Sequence, residues 1–492
     1  MAWWGRYRVT ASSAAAQWLI AANRSSDWSG VRARVLGLGT SGFAAADALL
    51  RVGARVEIVE SAQLSASDLL AERAQILSTL GARVVVGVDD GVSTECDLLI
   101  PSPGFAPRHP WITSAGAATV WSGEQLAWNL RNPAVPWLTI TGTNGKTTTT
   151  QLLDAMLRAS GLRSLAAGNI GVPLVEAIFA EPEPDVLAVE LSSFQLHFTR
   201  SISAHSSALL NIADDHLDWH GSFDAYAAVK ASIFERTQRA IVYNHDDTRT
   251  EVIAEAADVV EGCRAIGFTL GAPGRAMLGV VDGVLVDRAF GADRATHAIE
   301  IVDGAALPLT GAHNVQNTLA AAALARSYGV AIADVRAGVM GFEIDAHSGE
   351  VVATVGGVSF LDNSKATNVL AADVALTATV GQVVWIAGGL AKGGAFGELI
   401  GRHGPNLRAV VLLGTDRGLI AEALARHAPD VPVIEVPDGE TDPMNHAVRA
   451  AAASAQPHDT VLLAPACASM DQFADYQARG RAFRSAVARL RR

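Results

Sequence analysis

One stretch of the chain concentrates groups that grip phosphate: Gly142-Thr143-Asn144-Gly145-Lys146-Thr147-Thr148, between the apolar run WLTIT and the amphipathic run TTTQLLDAMLRAS. Strand, glycine turn, Lys-Thr and helix make a P-loop arrangement. In such a loop backbone N–H groups wrap phosphate oxygens, Lys146 bridges the β- and γ-phosphates, and the Thr147 hydroxyl ligates Mg²⁺. Thr143 and Asn144 alone separate the glycines, where the usual pattern has four residues, so this is a shortened variant.

Carboxylates follow at the ends of apolar runs. DVLAVEL carries Glu190 at its end, followed by Ser192, Ser193, Phe194 and Gln195. Ligands of α/β sheets bind beyond the carboxyl ends of strands, so Glu190 can reach Mg²⁺ on a phosphate held by the loop. SSALLNIA leads into Asp214-Asp215-His216-Leu217-Asp218, which reads either as a second metal position or as an Asp-capped helix start. Lys230, in the helical pattern FDAYAAVKASIF, reads from its residues as a solvated lysine. Gly311-Ala312-His313-Asn314-Val315-Gln316-Asn317 opens a long helix; its polar groups either face a nucleotide or serve capping by Asn314.

A second glycine turn, Gly37-Leu38-Gly39-Thr40-Ser41-Gly42, stands between a strand and a helix, with Glu60 ending the next strand where a ribose-binding acid would stand. It reads as a pyrophosphate site common to NAD, FAD and UDP-sugars, or as a turn needed for strand–helix packing alone.

The elements that must position these groups follow βαβ grammar: short β-rich runs alternate with alanine-rich amphipathic ones. One series starts near Val31, a second at PWLTITG, and a third near Glu350 with VVWIAGG, LRAVVLLG, VPVIEV and DTVLLAPA. The expectation is an α/β chain of three domains: a Rossmann-like domain at 28–133, a P-loop-type ATPase domain at 134–345 and a Rossmann-like domain at 346–492, after an extension at 1–27. The chain has 492 residues, and about 150 per domain gives the same number. Arg6, Arg8 and AAAQWLIAA in the extension faintly suggest a signal peptide, but Gln17 interrupts the run and a helix is expected instead.

Composition narrows the function. A net charge of −12 argues against nucleic-acid or anionic-membrane binding. Cys96, Cys263 and Cys467 stand far apart without zinc-type spacing, which suits a reducing compartment. No apolar run reaches membrane-spanning length. A cytoplasmic protein is expected.

These motifs, in this order, resemble the Mur ligase family: G-T-N-G-K-T-T, the strand-end Glu, D-H, the H-N-x-x-N helix start, then a third domain. Glu190-Leu-Ser-Ser-Phe-Gln-Leu196 is similar to the version in the D-glutamate-adding branch. Asp362-Asn-Ser-Lys365-Ala-Thr367-Asn368 and Leu463-Ala-Pro-Ala-Cys-Ala-Ser469-Met470-Asp471-Gln472-Phe473 agree, and the likeness runs from about Val31 to the end.

The resemblance implies an ATP-dependent amide ligase of peptidoglycan precursor synthesis, joining D-glutamate to UDP-N-acetylmuramoyl-L-alanine through an acyl phosphate. Its implied partners are these small molecules and ATP, with no nucleic acid or membrane, and a monomer is expected. It implies ATP on Gly142 to Thr148, with Asn317, Asp362 and Lys365 on the nucleotide side. Two Mg²⁺ ions are implied, held through Thr147, Glu190, His216 and a carbamate on Lys230, which reverses the solvated reading. Lys146, Glu190, His216 and Lys230 are the implied catalytic set.

The UDP-linked substrate falls to Gly39, Thr40, Ser41, Glu60, Ser61, Ser102, Pro103, Gly104, Asn169 and Ser192. D-Glutamate falls to Thr367, Lys392, Ser469, Met470 and Tyr476, the last where the family usually has Phe. Three departures stand out: His347-Ser348-Gly349-Glu350 lacks the arginine of the family's H-R-x-E, Glu60 replaces a common Asp, and Ala62 a common Arg. A related amide ligase, an NAD-dependent oxidoreductase and a non-catalytic nucleotide-gated regulator are the rival readings. An amino-acid panel, NADH absorbance and substrate-dependent phosphate release separate them.

Overall fold

Parallel strands covered on both faces are mostly apolar, and among the described residues Leu98–Pro101, Trp137–Thr141, Val186–Glu190, Ser206–Leu209 and Val383–Gly388 are buried at every position. The computed structural model describes residues 14–63, 69–87, 95–116, 118–309, 311–343, 349–391 and 394–490. The first 13 residues, His347, Ser348 and Lys392 lie outside the described residues. The chain forms two compact units: 1–212 with 224–342, and 213–223 with 343–492.

The first unit holds two sheets. The smaller is parallel, with strands Arg83–Val86, Arg55–Glu60, Arg32–Leu36, Leu98–Pro101 and Thr119–Val120 side by side in that order. Strand order reverses at Arg32–Leu36, and the glycine turn Gly37–Gly42 leaves that strand at the switch point, where such sheets bind ligands. A Cβ on Gly42 would overlap the Gly37 carbonyl, so this glycine permits the tight strand-to-helix passage.

Among the described residues the larger sheet has nine strands. Third from one edge, Trp137–Thr141, buried throughout, lies parallel between Val186–Glu190 and Ser206–Leu209. The register sets Ile140 beside Glu190 and Thr141 beside Leu209, so three strand ends meet at one edge. Leu138 and Ile140 pack against Leu152, Leu153, Met156 and Leu157 of the helix Lys146–Ala159, and against the Leu319–Ala325 face of the helix Ala312–Tyr328. Beyond the parallel strands, Met277–Val281, Val284–Asp287 and Ile299–Asp303 extend the sheet through two antiparallel pairings that the sequence reading did not anticipate.

The expected N-terminal helix is present at Ala14–Ala21. Leu19 is buried, the Asn129 amide donates to the carbonyls of Leu19 and Ala22 at 3.2 and 3.0 Å, and Arg24 donates to those of Leu130 and Ile178 at 2.9 and 2.6 Å.

The second unit carries a six-stranded sheet in the order Glu350–Val355, Val358–Asp362, Thr460–Leu463, Val383–Gly388, Leu407–Leu413, Val433–Glu435. Its first pair is an antiparallel hairpin and the rest is parallel. Asp362 pairs in register with Leu463, so the loops beginning at Asn363 and Ala464 leave the same edge side by side. Among the described residues no helix is long and apolar enough to cross a membrane.

Candidate active site

The phosphate loop is held by main-chain and side-chain bonds together, with Asn211 supplying both kinds. Thr143 N–H donates to the Asn211 carbonyl at 3.0 Å, Asn144 N–H to Asn211 Oδ1 at 2.9 Å, and the Asn211 amide returns a bond to the Asn144 carbonyl at 3.1 Å. Gly145 caps the helix Lys146–Ala159 in the left-handed region, at φ 82°. A Cβ there would collide with the Asn317 carboxamide, which packs over the loop. The helix so placed aims its free N–H groups and partial positive charge at the loop, with Thr147 and Thr148 in its first turn. Lys146 Nζ folds back onto the carbonyls of Gly142 and Thr143, both at 3.0 Å.

Glu190 ends the neighbouring strand, 1% exposed. Its Oε1 accepts from the Asn169 amide at 2.8 Å, and its Oε2 is buried with no hydrogen-bond partner. A buried carboxylate oxygen left unsatisfied is costly, and a hard dication sharing phosphate oxygens would satisfy it. The donor set beside it fits Mg²⁺. Among the described residues no three His, Cys, Asp or Glu side chains cluster as a cage for a metal.

Lys230 is not a solvated lysine: it is 1% exposed. Its Nζ donates to the Gly142 carbonyl at 2.8 Å, contacts Thr141 Oγ1 at 3.4 Å, and lies 4.9 Å from the centre of the Tyr226 ring. One turn earlier on the same helix, Tyr226 shares a 2.9 Å hydrogen bond with Thr143 Oγ1, so Phe223–Ala231 is fastened to the loop twice. Its pattern misleads because the helix is apolar nearly all round, leaving no polar face to assign.

A cleft runs from the first glycine turn to Gly168 and to Phe194 and Gln195. Ser41, Ser102, Pro103, Glu124, Gly168 and Gln195 are among its lining residues. Ser102 Oγ is buried there without a partner. Gly39 and Thr40 sit exposed at the turn, Gly104 on the loop after Ser102. Arg73 donates to Thr40 Oγ1 at 3.1 Å, a cation near the turn that the sequence reading did not find.

The Glu60 carboxylate turns inward, accepting from Leu38 N–H at 2.8 Å and Ala62 N–H at 3.1 Å, with Ser61 Oγ at 3.4 Å. It orders the turn itself. Ser192 caps a short helix in a reciprocal capping box with Gln195, and Gln195 donates to Glu124 Oε1 at 2.6 Å. Burial pushes the Glu124 carboxyl up to about 7.

The second unit assembles the remaining residues. His216 opens a short helix at φ 54°, with Nε2 3.6 Å from Asp215 Oδ2, and that oxygen accepts from the Asn368 amide at 3.3 Å. No side chain caps the helices starting after His216 or Gly311, so neither capping alternative holds. In the first unit, Asn314 Oδ1 instead accepts from the Asn317 amide at 3.3 Å.

Asp362 is fully buried at its strand end, and Lys365 and Thr367 follow on the loop. The neighbouring loop presents Ser469, buried, and Met470, 71% exposed. Arg479, 1% exposed, ties the two loops together: it donates to Ser364 Oγ at 3.0 Å, the Ser364 carbonyl at 2.9 Å and the Cys467 carbonyl at 3.0 Å. Ser364 Oγ in turn donates to the Tyr476 carbonyl at 2.8 Å. Thr367, Ser469, Met470 and Tyr476 thus sit on one cross-braced frame.

Sequence reasoning found the glycines and strand-end acids but not Asn211, Tyr226, Glu124, Arg73 or Arg479. Asn211 follows a strand end, as Glu190 does, and the same rule finds it. The others depend on contacts distant in sequence.

A phosphate loop beside a buried strand-end carboxylate, in a chain that also carries two Rossmann-like sheets, defines a three-domain α/β enzyme built around nucleotide phosphate. Residues 140–325 match the Mur ligase middle domain, and 349–467 the Mur ligase, glutamate ligase domain. The chain is 51% identical over 472 residues to UDP-N-acetylmuramoylalanine–D-glutamate ligase of Streptomyces coelicolor, covering 94% of this chain and 99% of that one. It is 48% identical over 488 residues to the ligase of the same name from Leifsonia xyli, covering 94% and 93%. The crystal structure of UDP-N-acetylmuramate-alanine ligase from Thermotoga maritima shares the fold, with a TM-score of 0.56 at 18% identity over 94% of this chain and 99% of that one. The chain belongs to the Mur ligase family.

Proposed function

We propose that this chain is the D-glutamate-adding ligase of peptidoglycan precursor synthesis, joining D-glutamate to UDP-N-acetylmuramoyl-L-alanine with ATP. The observation that carries the reading is the meeting of phosphate loop, Glu190 and Lys230 at one sheet edge, in a chain half identical to ligases of that name. The domains run 28–133 for the UDP-linked substrate, 134–345 for ATP and 346–492 for the amino acid.

Joining a carboxylate to an amine in water is uphill, so the carboxylate is first activated. The L-alanyl carboxylate oxygen attacks the γ-phosphorus, and the β–γ bond breaks to release ADP. The D-glutamate amine then attacks the acyl carbon, loses a proton, and inorganic phosphate leaves. Positioning and charge neutralisation dominate such transfers.

The loop N–H groups and Lys146 hold the phosphates, and Asn317, Asp362 and Lys365 the nucleotide side. Thr147, Glu190, His216 and a carbamate on Lys230 would hold two Mg²⁺ ions, which would supply charge neutralisation for the anions brought together. Carbamylation adds CO₂ to the Lys230 amine with loss of a proton, replacing a buried cation by an oxygen anion suited to Mg²⁺. The buried, unpartnered Glu190 Oε2 supports this use of the site.

The cleft takes the UDP-linked substrate through Gly39, Thr40, Ser41, Ser61, Ser102, Pro103, Gly104, Asn169 and Ser192, with Glu60 acting through the turn it orders. Thr367, Lys392, Ser469, Met470 and Tyr476 take D-glutamate. The protein works as a cytoplasmic monomer. Phosphate release from Mg-ATP with UDP-N-acetylmuramoyl-L-alanine and each of a panel of amino acids tests the reading: release with D-glutamate is expected, and release only with another amino acid refutes it.

A further inference from the structure

Asp362 and Glu350 face each other across the hairpin that opens the second unit's sheet, in direct register. Like charges so placed repel. One arginine lies on both. From the helix Tyr476–Leu490, Arg484 donates through Nε to Asp362 Oδ2 at 3.0 Å, and through its two terminal nitrogens to Glu350 at 2.5 and 3.3 Å. Asp362 Oδ1 accepts from Ser364 N–H at 3.1 Å, so both oxygens of the buried carboxylate are directed. Arg484 is itself partly exposed, with 29% of its side chain accessible. The carboxylates hold its charge raised toward the protonated form, through the bonds to Glu350 first.

We infer that Arg484 is a positioning residue for the nucleotide: it aims Asp362 and cancels the charge of two carboxylates where a polyanion must bind. The inference rests on the reading of Asp362 as a nucleotide-side group. A guanidinium suits the task because its planar fork engages two carboxylates at once, whereas an ammonium is a point charge. Position 348, where the family resemblance leads one to expect an arginine, holds serine. That leaves this segment's positive charge to come from elsewhere in the chain, and Arg484 brings it to Glu350 and Asp362.

The test is direct nucleotide binding and kinetics on Arg484→Met and Arg484→Lys. For Arg484→Met, calorimetry with Mg-ADP should give a dissociation constant raised about tenfold, as for loss of a charge-assisted bond. The ATP KM should rise in step, while kcat and the D-glutamate KM stay within about twofold of the parent. Arg484→Lys should recover part of the loss. Adding Glu350→Gln to Arg484→Met should recover part as well, because it removes one of the uncovered charges.

An unchanged Mg-ADP constant overturns the proposal. So does a uniform fall in every parameter together with a lower melting temperature, the mark of a merely structural brace. If Arg484→Met does not fold, Arg484→Lys decides on the same readouts. Because ADP binding is read without turnover, a wild-type chain that fails to use D-glutamate would refute the assigned reaction and leave this test standing.

Discussion

The two compact units hold their functional residues by different means. In the first, the phosphate loop is strung between a buried strand before it and a helix after it, and the main chain and side chain of Asn211 bond Thr143 and Asn144. In the second, the loops carrying Thr367 and Ser469 are braced by side chains of one late helix, Arg479 between the loops and Arg484 on Asp362. A loop strung between a strand and a helix and tied at several residues outlives the loss of one functional side chain; two loops joined by a single arginine do not. Chemistry and stability should therefore separate at Lys146 in the first unit and fail together at Arg479, which ties the two loops of the second.

The largest expected effect is at Lys146. Lys146→Ala should lower kcat by about a thousandfold or more, the scale of losing a group that meets charge in the transition state, with the melting temperature nearly unchanged. A parallel collapse in stability would erase the contrast. Arg479→Met should do the reverse, destabilising the chain by about 3 kcal/mol as the carbonyls of Ser364 and Cys467 lose their buried donor. Urea unfolding reads this, and a loss below about 0.5 kcal/mol would mean that the loops stand without the brace. Burial pulls this guanidinium down to about 10, which leaves it charged at neutral pH.

Glu124 sharpens the comparison, because it is a buried side chain within the first unit. Its carboxyl keeps a proton up to about 7 in the folded chain, against the ordinary 4.5. The folded state therefore binds the extra proton between those values. Stability from this group is complete below 4.5, declines as pH rises through the window, and is lower by about 3 kcal/mol above 7. Glu124→Gln should flatten the fall in melting temperature between pH 5 and 8; a slope as steep as in the parent excludes Glu124 as its source. The smallest effect is expected at position 348, outside the described residues, where Ser348→Arg should lower the ATP KM severalfold by restoring a cation beside phosphate. An unchanged KM would mean that this cation is not missed.

The same division explains what could be read in advance. Gly142 to Thr148, Glu190 and the turn at Gly37 were legible because glycine turns and strand ends are local, and sheet topology brings them to one edge without further information. Lys230 could be placed only through family resemblance, since a lysine in a helix apolar on every side gives no sign of the loop it lies against. Arg479 and Arg484 gave none either: their partners Ser364 and Asp362 lie 115 and 122 residues earlier. Glu60 was legible as a strand-end acid but not in its use, because its bonds to Leu38 and Ala62 N–H need a turn that closes in three dimensions. The antiparallel strands between Met277 and Asp303 lack the βαβ rhythm, so nothing in the sequence pattern marked them.

Gly145 has a consequence for inhibition. Every other amino acid would bring a Cβ into a left-handed backbone and against the Asn317 carboxamide. A small molecule drawing its affinity from the main chain at this residue would therefore contact a surface that a single codon change cannot reshape without damaging the loop. Escape from such a compound would have to arise elsewhere, at side chains that the fold can spare.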